Sequence, residues 1–94
     1  MLADHGTTRR IAELQADALE RGTLNIWTVY DHPADFPHSY VARRFEVSGD
    51  NGAQPTGDVM LGELSIIRAS FRQAGLTRLL RHEDDETQIV ECWL

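Results

Sequence analysis

Leu24-Asn25-Ile26-Trp27-Thr28-Val29-Tyr30-Asp31-His32-Pro33-Ala34-Asp35-Phe36-Pro37-His38-Ser39-Tyr40-Val41-Ala42-Arg43-Arg44-Phe45-Glu46-Val47-Ser48 decides the fold. Leu24 to Asp31 is rich in β-branched and aromatic residues, with Ile26, Thr28 and Tyr30 on one side of an extended chain and Trp27 and Val29 on the other. Ser39 to Ser48 repeats the pattern: Val41, Arg43, Phe45 and Val47 lie opposite Tyr40, Ala42, Arg44 and Glu46. The few residues between the two runs suit an antiparallel hairpin with a wide loop braced by Pro33 and Pro37, because a parallel crossover needs about a dozen or more.

On the N-terminal side, Thr7 or Thr8 can cap a helix whose apolar positions Ile11, Leu14, Ala18 and Leu19 share one stripe, with Gly22 as its stop. On the other side, the composition of Gly49-Asp50-Asn51-Gly52-Ala53-Gln54-Pro55-Thr56-Gly57 forms turns and has no hydrophobic period, so residues 48–57 read as a mobile loop. A second helix is expected from Gly62 to Ala74, with Leu64, Ile67, Phe71 and Ala74 on one stripe, Arg68 and Arg72 off it, and Gly75 as its stop. Val59 to Leu61 fits either its first turn or a short extra strand. Leu76 to Arg81 and Gln88 to Leu94 form a second hairpin around the acidic turn His82-Glu83-Asp84-Asp85-Glu86-Thr87. The expected fold is therefore α+β, a four-stranded antiparallel sheet with two helices in the order α-β-β-α-β-β, spanning residues 1–94 as one domain.

Hydrophobic content of 41% with 26% charged residues is that of a globular chain. The formal charge of -6 opposes phosphate backbones and argues against nucleic acid as a partner. The single Cys92 has no internal disulfide partner and falls in the apolar run Ile89-Val90-Glu91-Cys92-Trp93-Leu94, which predicts a buried, inert thiol and suits a reducing cytoplasm. No segment approaches the length of a membrane span, and Met1-Leu2-Ala3-Asp4-His5-Gly6 lacks a signal-peptide apolar region, so the expected location is cytoplasmic and no membrane partner is expected.

The hairpin loop concentrates the chemistry. Asp31, His32, Asp35 and His38 are of the types that ligate zinc or manganese, but such a site needs ligands converging on one point, and the two prolines force an extended path that spreads them. The plainer reading gives the aspartates to turn hydrogen bonds and leaves the imidazoles solvated or stacked on Phe36 or Tyr40. The same loop offers a general base, His32 or His38 oriented by Asp31 or Asp35, with Ser39, Tyr30 or water as nucleophile; no triad motif accompanies it. Arg43, Arg44, Arg78 and Arg81 lie on expected strands and would form a basic patch if they shared a face, although pairing with carboxylates such as Glu46 and Glu91 is the commoner outcome. Glu83-Asp84-Asp85-Glu86 lacks the alternating spacing of a calcium loop and reads as a solvated turn. No pattern implies a cofactor or a metal.

Trp27 and Trp93 give the firmest hint. If helix two covers one face of the sheet, the other face needs helix one, a partner or a second copy of the chain. With Val90, Cys92 and Leu94 placed under helix two, Ile89, Glu91 and Trp93 would face the other way.

Trp27 to Pro37 with Tyr40-Val41-Ala42-Arg43-Arg44, and Gly75-Leu76-Thr77-Arg78-Leu79 with Ile89 to Leu94, resemble a family of small uncharacterised bacterial proteins with no established function. The resemblance implies a bacterial cytoplasmic protein and no mechanism. The reading that follows is a non-enzymatic binding or protein-interaction module, self-associating as a homodimer or taking another protein, through a sheet face or loop carrying Trp27, Tyr30, Asp31, His32, Asp35, His38, Arg43 and Trp93. The alternative is a small metal-dependent or acid/base enzyme built on the Asp31 to His38 loop.

Overall fold

Two helices and five strands follow the chain as α1 (His5–Glu20), β1 (Leu24–Asp31), β2 (Tyr40–Val47), β3 (Ala53–Gly62), α2 (Leu64–Gln73), β4 (Arg78–Leu80) and β5 (Ile89–Trp93) in the computed structural model, which describes residues 5–49 and 52–94. The expected leaderless start at Met1 to Asp4 and the Asp50-Asn51 portion of the expected loop lie outside the described residues. The strands form one sheet in the order β3-β2-β1-β5-β4, with every neighbour antiparallel. The fold is α+β as expected, with five strands instead of four.

The extra strand is β3. It pairs along β2 from Val47↔Ala53 to Tyr40↔Gly62, so most of the segment read as a mobile loop is a sheet edge. Its Gly and Pro content is tolerated because of where it lies. Pro55 sits on an edge strand, where a missing N–H breaks no inner ladder, and Gly57, at φ +90°, occupies the bulge opposite Arg44. Val59 to Leu61 belong to this strand, and α2 begins only after Gly62. Helix α1 starts ahead of Thr7 and Thr8, so neither caps it, and it stops at Gly22, whose φ of +72° suits a left-handed end. Leu19, placed on the apolar stripe by its spacing, is 80% exposed.

Both helices cover the same face of the sheet. Ile11 and Leu14 of α1 and Ile67 and Phe71 of α2 pack with Trp27, Val29, Ala42 and Trp93 into one core. Phe71 lies between the indoles, with its ring centroid 5.4 Å from that of Trp27 and 5.3 Å from that of Trp93. Helix one is thus not the cover for the second face.

The register of β5 is the reverse of the expected one. Pairing of Trp27↔Trp93 and Val29↔Glu91 turns Trp93 and Glu91 under the helices, while Cys92, opposite Thr28, faces the uncovered side and is only half-buried. The slip has a physical cause. Burying an indole removes far more apolar area from water than burying a thiol, and Glu91 follows Trp93 by strand alternation. Glu91 is tolerated there because Arg68 donates from Nε and Nη2 to its carboxylate, at 2.7 to 3.2 Å, and Trp93 Nε1 donates at 2.8 Å. Burial alone would push the Glu91 carboxyl up; those hydrogen bonds outweigh it and hold the group below the usual carboxylate range.

A second polar cluster lies under α1. Asn25 donates to the Leu14 carbonyl and to Gln15 Oε1, which also receives the Trp27 indole N–H at 3.1 Å. Arg44, 7% exposed, donates to Asn25, Glu46 and Asp58. Arg21 is the main cause, with Arg44 adding, that holds the Glu46 carboxyl down at about 2 against the opposing effect of burial. These partners explain why polar residues line the helix-covered face.

Trp93→Ala should cost roughly 3–5 kcal/mol in urea denaturation, and Cys92→Ala no more than about 1.5, because only the first opens the core. Removing one member of a buried ion pair leaves the other uncompensated, so Arg68→Met should destabilise by about 3 kcal/mol or more, and adding Glu91→Gln should restore most of it. The Glu91 pKa is lower folded than unfolded, so its contribution is complete above the unfolded value of about 4.3 and is lost as pH falls through the folded one. Glu91→Gln should accordingly flatten the acid side of the stability profile below about pH 4.3, measured by chemical denaturation at several pH values.

Candidate functional site

With both helices on one side, the other face of the sheet is built from strand residues alone. Strand alternation and the observed registers place there Leu24, Ile26, Thr28 and Tyr30 of β1, Val41, Arg43, Phe45 and Val47 of β2, Val59 and Leu61 of β3, Leu79 of β4 and Cys92 of β5. Arg43 is the one charged side chain among them. Of the six large apolar residues that are exposed among the described residues, Leu24, Val59, Leu61 and Leu79 lie on this face, each 43–48% accessible. A row of half-exposed aliphatic groups on one sheet face is a surface with hydrophobic free energy still to gain.

One end of the face is roofed by the loop between β1 and β2. Pro33 is buried, Asp35 accepts a hydrogen bond from Arg43 Nη2, and the Arg43 guanidinium lies 5.7 Å from the Tyr30 ring centroid and 5.8 Å from that of Phe36. Val41 beneath them is fully buried. Burial raises the Tyr30 phenol pKa, with Glu86 adding and Arg43 opposing. The loop is also closed on itself by Phe36 N–H to the Pro33 carbonyl at 2.9 Å and Ser39 N–H to the Phe36 carbonyl at 3.3 Å.

The residues singled out from the sequence separate into three places. Trp27 and Trp93 are 3% and 1% exposed beneath the helices, so the open face is the one opposite the two indoles. Tyr30, Asp35 and Arg43 do come together, on the roofed end. Asp31 and His32 form a pair at the end of the sheet, with His32 Nδ1 2.5 Å from Asp31 Oδ1 and the imidazole edge-on to Tyr40 at 4.9 Å, while His38 is exposed. His32 carries a φ of +46°, a region that costs a non-glycine residue about 1 kcal/mol or more. The His82 turn lies at the same end, since Asp31 N–H donates to the Gln88 carbonyl at 2.7 Å, but His82 engages its own turn through Asp84 and Asp85. Among the described residues, no three His, Cys, Asp or Glu side chains converge as a metal-ligand set.

The four arginines expected on strands do not form a patch, and Arg81 falls just past the end of β4. Arg43 lies on the open face, Arg44 is buried on the helix face, Arg78 shares that helix face, and Arg81 donates to the Asp85 and Glu86 carbonyls of the acidic turn. Sequence reasoning passed over Val59, Leu61 and Leu79. The alternation Val59-Met60-Leu61, which gives β3 one residue facing the helices between two facing out, was the signal for the first two.

Compared with protein-family models, curated proteins and solved structures, the chain matches none. No helix among the described residues is long and apolar enough to cross a membrane.

Arg43→Ala should release the roof without unfolding the protein. An ion pair this exposed is worth about 1 kcal/mol or less, so the melting temperature should move little while hydrogen exchange at the Phe36 and Ser39 amides accelerates several-fold.

Proposed function

We propose that the protein is a non-enzymatic interaction module that associates with a second copy of itself through the open sheet face. The observation that carries this reading is the row Val59, Leu61, Leu24 and Leu79, left accessible on a face whose one charge, Arg43, is already paired with Asp35. Two such faces brought together in an isologous dimer confront no unpaired charge. Five strands at about 4.8 Å spacing and roughly six residues at about 3.3 Å make a face on the order of 500 Å² per copy. Twice that area falls at the lower end of specific interfaces, near roughly 1,000–1,200 Å², the size range of weak, reversible association. Each copy carries a formal charge of -6, so salt should tighten the dimer by screening their repulsion. We further place the protein in a bacterial cytoplasm, following the resemblance of the Trp27 to Arg44 segment and the presence of a single unpaired thiol.

A second reading, an acid/base site on the same end of the sheet, has the Asp31–His32 pair and its positive φ in its favour. A hydrolytic activity of the purified protein that is lost in His32→Ala without a change in melting temperature would favour it over the module.

Sedimentation over a hundredfold range of concentration should show a monomer–dimer equilibrium that strengthens from low to high salt. Leu61→Glu should leave a folded monomer. A wild-type protein that remains monomeric at the highest concentration, or a dimer unaffected by Leu61→Glu, would overturn the proposal.

A further inference from the structure

We propose that the free edge of β4 binds an extended acidic segment of another protein, which adds to the sheet as an antiparallel strand. β4 is the last strand in the order β3-β2-β1-β5-β4. Thr77 and Leu94 exchange both backbone hydrogen bonds, at 2.8 and 3.0 Å, and the register Arg78↔Trp93, Leu79↔Cys92 and Leu80↔Glu91 continues from that pair. Antiparallel pairs alternate between bonded and non-bonded, so Leu79 turns its backbone groups to Cys92, whereas Arg78 and Leu80 turn their N–H and C=O groups outward, to the side with no neighbouring strand. Such a row of groups is the template for a further strand.

The side chains select the partner. All three residues of β4 are exposed, and its two leucines, Leu79 at 43% and Leu80 at 81%, lie on opposite faces of the sheet. Arg78 shares the helix-covered face with its cross-strand partner Trp93, and Arg72 of α2 places its guanidinium 5.7 Å from the centroid of the same indole. Neither arginine has a carboxylate within ion-pair distance among the described residues, whereas Arg10, Arg21, Arg43, Arg44 and Arg68 each do. Glu91, the acid that the register places beside them, is held by Arg68 and by Trp93 Nε1. Two uncompensated guanidiniums on a chain of formal charge -6 are complementary to an acid from outside. A phosphate backbone would match that charge but cannot donate to the Arg78 and Leu80 carbonyls, and a peptide does both. On an antiparallel added strand the matching residues, from N to C terminus, are an apolar one opposite Leu80, an apolar one opposite Leu79 and a Glu or Asp opposite Arg78. The opposite edge of the sheet is guarded against such pairing, because β3 carries Pro55 and the bulge at Gly57.

The probe is the capped peptide Thr-Leu-Val-Glu-Thr, titrated into the ¹⁵N-labelled full chain and followed by NMR. Saturable shifts should appear at the Arg78 and Leu80 amides and at the Arg72 side chain, with hydrogen exchange slowed at those two amides. Replacing the peptide's Glu by Lys turns attraction into repulsion and should weaken binding about tenfold, and Arg78→Gln, at an exposed side chain, should weaken it about threefold to fivefold. N-methylation of the peptide's Glu removes the N–H that would donate to the Arg78 carbonyl and should abolish saturable binding. N-methylation of its Val, whose N–H points away from β4, should keep most of it, and a simple anion site would not tell these two peptides apart. The dimer-breaking Leu61→Glu should bind the peptide as the wild type does, which separates this proposal from the preceding one. The inference is overturned if the peptide does not saturate, if its shifts map to the open face, if the Lys peptide binds as tightly, if Arg78→Gln binds unchanged, or if the two N-methylated peptides bind alike.

Discussion

Glu91 lies buried beside Trp93 with its carboxylate held by Arg68 of α2, and that ion pair makes tenable the register on which the rest of the structure depends. If β5 slipped by one residue, Glu91 and Trp93 would face outward and Cys92 inward, and Phe71 would lose one of its two indole neighbours. The energetic preference rests on the tryptophan, and the ion pair removes the objection to it. An unpaired buried carboxylate would cost more than the indole gains. Because Trp27 and Trp93 then share a face, a single aromatic stack draws α2 onto it, α1 closes the same side, and the opposite side is left to strand residues alone.

Much of this was legible in the sequence. The alternation of Leu24 to Asp31 gave β1 its observed bounds and both of its faces, and β2 and both helices fell within a few residues of their expected limits. Failures came where an element depends on a partner far away in the chain. The segment from Ala53 has no hydrophobic period at its start, and it is a strand because β2 has a free edge to offer it. The alternation of β5 predicts Glu91 and Trp93 outward because Val90, Cys92 and Leu94 make the more uniformly apolar set; Arg68, 23 residues earlier and off the apolar stripe of its helix, makes the reverse register tenable.

The candidate site was half legible for the same reason. Tyr30, Asp35 and Arg43 do assemble, because a short proline-braced loop cannot carry Asp35 far from the strand that follows it. The two tryptophans were correctly recognised as needing cover, but the cover is internal, and the apolar surplus appears on the reverse side in smaller residues, Val59, Leu61 and Leu79. Large aromatic groups command the core because they bury the most area, so the sheet face that remains accessible is built from aliphatic side chains too small to win a place there.

The proposed self-association uses the open side that this one-sided cover of the sheet leaves. Its most direct test is the concentration dependence of backbone amide chemical shifts in the ¹⁵N-labelled protein. The predicted result is progressive shifts confined to the strands, strongest around Ile26, Phe45, Val59 and Leu61, with α1 and α2 unchanged. Shifts concentrated on the helices, or none across the accessible concentration range, would contradict it.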